Sequence, residues 1–470
     1  MNDLSSESLT TLAARIAARK VSPVEVLQAH LDRISRVNPQ LNAIVTLAPD
    51  AMERAKEAEA AVVRGEELGW LHGVPVTIKD TIETAGLRTT SGSAMRAEFV
   101  PTHDAPSVAR LRAAGAIILG KTNTAEMAMD YTTDNPVFGP ANNPHNPLLT
   151  TGGSSGGEAA AIATCMSPGG IGSDLAGSIR IPAHFCGIVG LKPTVGRVPG
   201  ELQFPPSTGP YSLGAAIGPM ARSVADLQLL FSVLAGVAGS EFSAAIAKLL
   251  ADRRNKLRGS RVSYYFDDGV APVNEETQTA VAAAAQALSD AGLIVEQALP
   301  PAVEHGHDLW LKLFSRASVV QLRDVYAGHE EKGGEFVRWR LGTANDLPAP
   351  SLDDYIGWWL ERDRLRGELL NWMESTPLIV VPVGATAAYK HGTLKVTVGE
   401  HAMSTFRAFS YSQTFNAFDL PAVAVPAGRS SEGLPIGVQI VGRPFAEASV
   451  LAAAAIVEEA LGGWQMPAPW

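Results

Sequence analysis

The sequence contains little cysteine, and this scarcity excludes two common ways of building a protein. Cys165 and Cys186 are the only cysteines among 470 residues, and neither belongs to a CxxC motif or another cluster with metal-ligand spacing. Disulfide frameworks and structural zinc sites both need such clusters. We therefore expect no disulfide framework, and the composition fits a reducing cytoplasm best.

Long runs of basic or apolar residues are also missing. The chain has 38 basic and 48 acidic residues, a formal net charge of -10, and no Lys/Arg run as long as a nucleic-acid patch. Its longest apolar runs end at prolines, far short of the ~20 residues that a membrane helix requires. The first residues lack the basic start and apolar block of a secretory signal. We expect no direct nucleic-acid partner, no membrane span and no export signal, and the sequence leaves open whether the chain forms a homodimer.

The first half of the sequence predicts helices followed by an α/β pattern. Residues 4–66 have helical signals, and Ser22 with Pro23 offers an N-cap and a proline at the first helical position. From Gly73 onward, short apolar runs such as VPVTI, AIILG and GIVGLKP alternate with helical stretches, which indicates a sheet covered by helices. We predict a single domain, 1–470, made of a helical flank (1–66), a core (67–215) and the rest of the sheet with its helical cover (216–470).

The second half of the chain extends this pattern. Residues 215–250 are rich in Ala and Leu at helical spacing, and the runs VSYYFDD and LIVEQAL predict two strands on either side of a helix. Residues 301–375 predict amphipathic helices that either roof a pocket or pack on the core. Five tryptophans lie among their charges: Trp310, Trp339, Trp358, Trp359 and Trp372. Three further strands, PLIVVPVGA, LPAVAVPA and LPIGVQIVG, precede a closing helix.

The most unusual stretch is TGGSSGGE at residues 151–158, which leads into an alanine-rich helical segment. Its four glycines allow backbone conformations and close approaches that other residues forbid. A flexible linker is one interpretation, but a linker does not normally run into a helix with an acid such as Glu158 near its positive end. A phosphate-binding loop is a second, but the GK[ST] ending and a strand followed by GxGxxG are both missing.

A third interpretation of this stretch is the nucleophile elbow of an esterase. Residues 152–156 match G-x-S-x-G with Ser154 at the centre. That elbow needs a buried strand immediately before the serine, whereas the preceding NNPHNPLLTT is rich in Pro and Asn. No later histidine lies in a persuasive motif. The esterase is therefore the weaker alternative.

A second glycine- and serine-rich loop, GSDLAGSIR, follows at residues 172–180. Its small residues expose consecutive backbone N–H groups beside the Ser178 hydroxyl, which is what an oxyanion hole next to a nucleophile needs. Lys79 ends the run VPVTI, where burial of its stem would lower the pKa of its amine and make it a general base. Taken alone, the loop is equally an ordinary turn and the lysine equally a solvated strand end.

Together, these segments resemble the amidase signature family. An ordered series of motifs over most of the chain carries the resemblance: GVPVTIKD, GAIILGKTNTAEMAM, NPVFGPANNP, TGGSSGGE, GSDLAGSIRIPAHFCGIVGLKPT and LPIGVQIVGRP. Residues 73–194 are the most specific part, since both loops and the lysine occur in the family's order and separation. The resemblance implies the amidase signature fold, a large mixed twisted β-sheet covered by α-helices on both faces. It also implies an amidase that needs no metal or organic cofactor.

The resemblance also implies roles for individual residues. Ser178 would be the acyl-forming nucleophile, Ser154 the bridging serine after a cis peptide bond, and Lys79 the base that draws a proton through Ser154. Water would then hydrolyse the acyl-enzyme. The oxyanion donors would be four consecutive backbone N–H groups, those of Leu175, Ala176, Gly177 and Ser178.

Three neighbours are predicted to support the two loops. Ser155 would orient the lysine or the bridging serine, and Asp174 and Arg180 would hold the loops in place. Two positions depart from the family's usual pattern, because Ala176 stands where glycine is usual and Thr151 where proline is common. If position 176 requires a positive φ, alanine adds strain and shifts an oxyanion donor. The departure concerns efficiency and not the reaction class.

Three other side chains favour a structural interpretation. Cys186 follows the second loop, but a lone cysteine in HFCGIVG is more typical of a small buried apolar residue than of a nucleophile. His305 and His307 lack an evident third metal ligand, so a surface helix or loop is favoured there.

The substrate is the least determined feature of the sequence. The family covers aliphatic, aryl, fatty-acyl and peptide amidases, and a glutamine-hydrolysing component of a tRNA-dependent amidotransferase. We favour a free-standing amidase for small or hydrophobic amides, because VGRVPGELQFPPSTG shows no segment typical of the amidotransferase component. A catalytically silent amide-binding protein is a further alternative, which the intact triad disfavours. Met127, Phe204 and Trp310 are candidate pocket residues, although each also suits core packing.

Overall fold

The computed structural model describes residues 3–236, 252–343 and 350–470. The strands, numbered in chain order, are β1 (Ile44–Leu47), β2 (Pro75–Lys79), β3 (Ile117–Thr122), β4 (Gly169–Asp174), β5 (Val189–Lys192), β6 (Ala216–Ala221), β7 (Arg261–Tyr264), β8 (Ile294–Gln297), β9 (Leu378–Pro382), β10 (Lys395–Val398), β11 (His401–Ser404), β12 (Ala422–Arg429) and β13 (Pro435–Gly442). The α-helices include Leu9–Ala17, Pro23–Leu41, Ala51–Arg64, Pro106–Ala113, Gly156–Ala163, Arg180–Cys186, Val224–Leu234, Glu275–Asp290, Gly306–Trp310, Arg316–Tyr326, Glu335–Thr343, Leu352–Trp372, Thr405–Ala408, Ser410–Ala417 and Glu447–Leu461. A π-helical turn, Leu311–Ser315, joins two of them.

One mixed sheet holds the fold together. Its 11 strands lie in the order β1-β3-β2-β4-β6-β5-β12-β13-β9-β7-β8, and β10 and β11 form a separate hairpin. β2 runs parallel to both β3 and β4, whereas β12 runs antiparallel to both β5 and β13. All three predicted segments of the chain therefore contribute strands to the same sheet. The single-domain assignment itself stays a prediction.

Both faces of the sheet are buried beneath helices. Along β9, Leu378 and Val380 belong to one buried apolar cluster, and Ile379 and Val381 belong to a second. Because successive side chains of a strand point to opposite faces, the two clusters lie on opposite sides of the sheet. The first cluster includes residues of the helix Glu447–Leu461 and the second includes residues of Arg180–Cys186, and this arrangement confirms the predicted fold class.

Most strands and helices predicted from apolar runs are present. VPVTI, AIILG and GIVGLKP correspond to β2, β3 and β5, and the later runs correspond to β7, β8, β9, β12 and β13. Ser22 caps the helix Pro23–Leu41 in a capping box with Glu25. The helix predicted between residues 215 and 250 is present as Val224–Leu234, and the part of that prediction on residues 237–250 lies outside the described residues. No helix in the described part of the chain is both long enough and apolar enough to cross a membrane.

Three local features differ from the sequence-based expectation. The helical flank also contains β1, and β6 occupies residues 216–221 of the stretch predicted as helix, because β3 and β4 supply pairing partners that local patterns do not reveal. Residues 172–174 belong to β4 and not to a loop. Its glycines fit a strand because neighbours approach closely: a Cβ at Gly170 would lie 2.2 Å from Oε1 of Glu158, and one at Gly172 would lie 2.8 Å from Oγ of Ser155.

Candidate active site

A completely buried lysine lies at the end of β2. The Lys79 Nζ atom lies 2.6 Å from Oγ of Ser154 and 3.0 Å from Oγ of Ser173. Burial lowers the pKa of Lys79 from 10.5 to about 7, although the negative charges of Asp174 and Glu158 act in the opposite direction. A large fraction of the amine is therefore neutral near pH 7 and able to accept a proton.

The first glycine/serine loop places Ser154 against this lysine. The Gly153–Ser154 peptide bond is cis, the arrangement that the family resemblance implies. A Cβ at Gly153 would lie 2.5 Å from the carbonyl oxygen of Asp130, so the close backbone approach requires glycine. The N–H of Ser155 donates to the carbonyl oxygen of Ser178 at 3.1 Å. The two loops are thus joined directly through their backbones.

A buried ion pair organises the second loop, between β4 and the helix Arg180–Cys186. The Arg180 side chain donates to both carboxylate oxygens of Asp174, at 2.9 and 3.0 Å, and neither side chain is exposed. The same carboxylate accepts the N–H groups of Gly177 at 2.8 Å and Ile179 at 3.1 Å. Burial alone raises the pKa of Asp174, but the Arg180 guanidinium outweighs it and holds the pKa well below the usual range. The carboxylate therefore stays charged and fixes the shape of the loop.

Two residues from the C-terminal part of the chain complete this cluster. Arg180 donates to Oδ1 of Asn416 at 2.6 Å and to Oε1 of Gln439 at 2.7 Å. Asn416 in turn donates to the Asp174 carboxylate at 3.0 Å. Each guanidinium nitrogen of Arg180 and each carboxylate oxygen of Asp174 has a hydrogen-bond partner, which is the condition under which a buried ion pair is tolerated. The supporting roles of Asp174 and Arg180 stay predictions.

Three of the four predicted oxyanion donors have free N–H groups. The N–H of Gly177 is taken by Asp174, whereas none of the described residues accepts a hydrogen bond from the N–H of Leu175, Ala176 or Ser178. These three residues line a cavity, and Gly177 does not. The left-handed φ of 107° in this loop belongs to Gly177 and not to Ala176, so the strain considered for alanine at position 176 does not arise.

Two hydrogen bonds hold the carbonyl groups of the same loop. Nε1 of Trp310 donates to the carbonyl oxygen of Leu175 at 2.8 Å, and the hydroxyl of Tyr131 donates to that of Ala176 at 2.7 Å. Tyr131 itself accepts from the Gln413 amide at 2.7 Å. Because the C=O and N–H of one planar peptide point in opposite directions, the bond from Trp310 also fixes the direction of the Ala176 N–H.

A cavity of about 280 Å³ opens beside Ser154 and Ser178. Its wall is mostly apolar and includes all three predicted pocket residues, Met127, Phe204 and Trp310. The helices that were predicted to roof a pocket or pack on the core do both. Phe314, Phe336 and Trp339 line the cavity, whereas Trp358, Trp359 and Trp372 pack against the second apolar cluster. An apolar wall of this kind lowers the local polarity and so strengthens electrostatic interactions at the serines.

The sequence missed Ser173, which contacts Lys79 directly. Ser155 was predicted to orient Lys79 or Ser154, but its hydroxyl donates to the Ser173 carbonyl oxygen at 3.3 Å. Ser155 therefore reaches the lysine only through Ser173. Lys79 and Ser173 lie on neighbouring strands, and the pairing of β2 with β4 was not evident from the sequence.

The remaining candidates do not line the cavity. Cys186 is buried, its Sγ lies 3.7 Å from the Thr151 carbonyl oxygen, and burial raises the pKa of its thiol, as expected of a packing residue. His305 is exposed in a short helical turn, and His307 contacts the side chain of Gln413. Within the described residues, no three His, Cys, Asp or Glu side chains are grouped to hold a metal ion.

Comparison with known proteins places this geometry in a family. The family model described as Amidase matches residues 25–451 of the chain. The chain belongs to the amidase family. This amidase is 34% identical to a glutamyl-tRNA(Gln) amidotransferase component of Koribacter versatilis, over 96% of this chain and 98% of the relative. It is 31% identical to fatty-acid amide hydrolase 2 of Homo sapiens, over 97% of this chain and 89% of the relative.

Solved structures agree with this assignment. A bacterial aryl acylamidase of the amidase signature enzymes superposes on the amidase with a TM-score of 0.84 and 27% identity, over 99% of this chain and 96% of that chain. The predicted family, fold and reaction class are confirmed by these relatives, which are amide-hydrolysing enzymes. The roles of individual residues stay predictions.

Proposed function

We propose that the amidase hydrolyses the C–N bond of a carboxamide through an acyl-enzyme on Ser178, with Lys79 as the base and Ser154 as the bridge. The observation that carries this proposal is the Lys79 amine, buried, 2.6 Å from the Ser154 hydroxyl and with a pKa lowered to about 7. A neutral amine in that position takes the Ser154 proton. Ser154 then takes the proton of Ser178 as the Ser178 oxygen attacks the carbonyl carbon.

The same relay runs in reverse as the tetrahedral intermediate collapses. The proton held by Lys79 passes through Ser154 to the leaving nitrogen, the C–N bond breaks, and an acyl ester remains on Ser178. Water attacks that ester by the same proton path and releases the carboxylate. The free N–H groups of Leu175, Ala176 and Ser178 would stabilise the oxyanion, and removal of one such donor typically costs about 10²–10³-fold in kcat.

The cavity supports a free-standing amidase for amides with apolar groups. Aromatic residues such as Phe204, Trp310 and Phe406 line it beside the serines, which favours an apolar acyl or amine substituent. The names of two relatives, a fatty-acid amide hydrolase and an aryl acylamidase, point to substituents of this kind. Action on a small-molecule amide without a partner protein, in the cytoplasm, belongs to the same proposal.

A second candidate is the glutamine-hydrolysing component of an amidotransferase. The 34% identity to such a component over nearly the whole of both chains favours it. The purified protein distinguishes the two: a free-standing amidase releases ammonia or amine from simple amides by itself, whereas the amidotransferase component depends on a partner and tRNA. Tight amide binding without turnover under either condition would instead support a catalytically silent binding protein.

The mechanism is tested by an amide-library screen in which mass spectrometry locates the trapped acyl group. We expect the label on Ser178, lost in Ser178→Ala and retained in the matched variant Ser155→Ala. Label on Ser154 would support the esterase alternative. A label on any residue other than Ser178 would overturn the proposed acyl-enzyme.

A further inference from the structure

Three charged residues line the cavity within the described part of the chain, and two of them have polar side-chain partners. Asp174 is paired with Arg180. Arg340, on the helix Glu335–Thr343, donates to both the carbonyl and the hydroxyl oxygen of Ser315 at 2.6 Å. The third, Asp130, forms no ion pair with any described residue. Among the described residues, Asp130 is therefore the cavity-lining acid without an ion-pair partner, and Arg340 is the one cation in the same lining.

Among the described residues, only backbone groups hold the Asp130 carboxylate in place. Oδ1 accepts the N–H of Tyr131 at 2.6 Å, and the N–H of Thr132 also donates to this carboxylate. Burial raises the pKa of Asp130 to about 6, so the group is still mainly ionised at neutral pH. An ionised carboxylate in apolar surroundings is unfavourable unless a cation pairs with it.

Asp130 also lies close to the proposed chemistry. Its carbonyl oxygen packs against Gly153, where a Cβ would lie only 2.5 Å away, and Gly153 precedes Ser154. Asp130, Ser154 and Ser178 all line the same cavity. A substrate with its carbonyl carbon at Ser178 therefore extends along a wall that includes Asp130.

We propose that Asp130 binds a protonated amine of the substrate, so that the amidase prefers carboxamides with an ammonium group on an apolar chain. This proposal rests on the proposed function, because it takes Ser178 as the position of the scissile carbonyl. The ammonium donates charge-assisted hydrogen bonds to the carboxylate, while the aromatic wall packs against the chain and attracts the cation. The natural substrate class is then amino-substituted alkyl or aryl amides.

A purely structural role for Asp130 makes a different prediction. The two backbone N–H groups that it accepts could simply fix the turn at residues 130–132. Loss of the charge would then affect all substrates alike, because a distorted turn does not distinguish a cation from a methyl group. Comparing charged and neutral substrates of equal length separates the two roles.

The experiment measures binding in the Ser178→Ala background, so that turnover does not interfere. The probes are β-alaninamide, 4-aminobutanamide and 5-aminopentanamide, each paired with the alkanamide in which methyl replaces ammonium. Isothermal titration calorimetry is run on Ser178→Ala alone and with Asp130→Asn or Asp134→Asn added. Asp134 is the control, since it is an exposed carboxylate four residues away that does not line the cavity.

We expect at least one amino-amide to bind more tightly than its alkanamide, and Asp130→Asn to weaken that binding roughly ten- to hundredfold. Asp130→Asn should leave alkanamide binding within about twofold, and Asp134→Asn should leave both unchanged. Equal losses for both classes, or no preference for any amino-amide, would overturn the proposal. Turnover and labelling of Ser178 in the unmodified protein are separate readouts, so failure of the proposed mechanism is distinguishable from failure of this binding site.

Discussion

Replacing Lys79 tests the central chemical claim. Lys79→Met keeps a side chain of similar length in the buried site but removes the amine that contacts Ser154 and Ser173. No other amine lies within hydrogen-bonding distance of Ser154 among the described residues. We therefore expect kcat/KM to fall about 10³-fold, the middle of the range for loss of a general base.

The lowered pKa of Lys79 determines what fraction of the protein carries a neutral amine at a given pH. At pH 8, an amine with a pKa of about 7 is about 90% neutral, whereas one with the ordinary value of 10.5 is about 0.3% neutral. Burial thus raises the amount of competent base about 300-fold at that pH. Below pH 7 the amine is mostly protonated and cannot accept a proton. The kcat/KM for a neutral substrate should therefore rise as pH passes through about 7 and then reach a plateau.

The assay is a pH profile of kcat/KM with an uncharged amide. Glu158 also titrates near this pH, since burial raises its pKa to about 7, and its charge favours protonated Lys79. Glu158→Gln should therefore keep the rising limb but move it to lower pH. Lys121→Met is the matched control, because Lys121 is a second buried lysine with a lowered pKa, on the neighbouring strand β3 and outside the cavity. Its profile should keep the limb near pH 7.

Three results would refute this reasoning. The first is a flat profile between pH 6 and 9 in the unmodified protein. The second is near-normal turnover in Lys79→Met. The third is a limb that disappears in Glu158→Gln while Lys79→Met retains it, which would assign the titration to the carboxyl group.

The remaining predictions concern the second loop. Asp174→Asn leaves the buried Arg180 guanidinium without its anion. We therefore expect urea denaturation to show a loss of about 3–5 kcal/mol in the free energy of unfolding, and a loss below about 1 kcal/mol would contradict the pairing. Trp310→Phe keeps the apolar wall but removes the N–H that holds the Leu175 carbonyl. Steady-state kinetics should therefore show kcat about tenfold lower with KM nearly unchanged. An effect on KM alone would mean that Trp310 contributes only to substrate binding. Gly177→Ala places a Cβ at a φ of 107° and 2.6 Å from another side-chain carbon. Calorimetry should therefore show a lower Tm and a loss of about 2 kcal/mol or more in the free energy of unfolding. An unchanged Tm would be evidence of a different loop conformation.

The apolar strands were predictable because each is a continuous run bounded by Gly or Pro. VPVTI and LPIGVQIVG show this pattern and correspond to β2 and β13. β4 and β6 were missed, because GGIGSD and AIGPMA contain few residues that favour strands. In β4, glycine is needed because the side chains of Glu158 and Ser155 approach the strand too closely for a Cβ to fit. A local pattern cannot report such contacts, which depend on how distant segments pack.

The candidate site likewise contains residues that the sequence predicted and residues that it did not. Ser154 and Ser178 stood out because glycine-flanked serines are rare and occur here in a family's order. The residues that position the second loop gave no such signal. Tyr131 and Gln413, which hydrogen-bond to each other, are 282 residues apart, and each looks unremarkable in its own segment. Supporting residues of this kind become visible only when the chain is folded.

The pairing of β5 with β12 joins two segments of the chain that are synthesised far apart in time. β5 leaves the exit tunnel long before its partner β12. Likewise, Arg180 cannot form its hydrogen bond to Gln439 until a further 259 residues have been synthesised. Contacts between such distant segments form slowly and late. A nascent chain that stops before residue 410 thus already carries Lys79 and both serines but lacks Asn416 and Gln439, which hydrogen-bond to Arg180. The loop that contains Ser178 therefore acquires its full set of hydrogen bonds only after Gln439 has been synthesised.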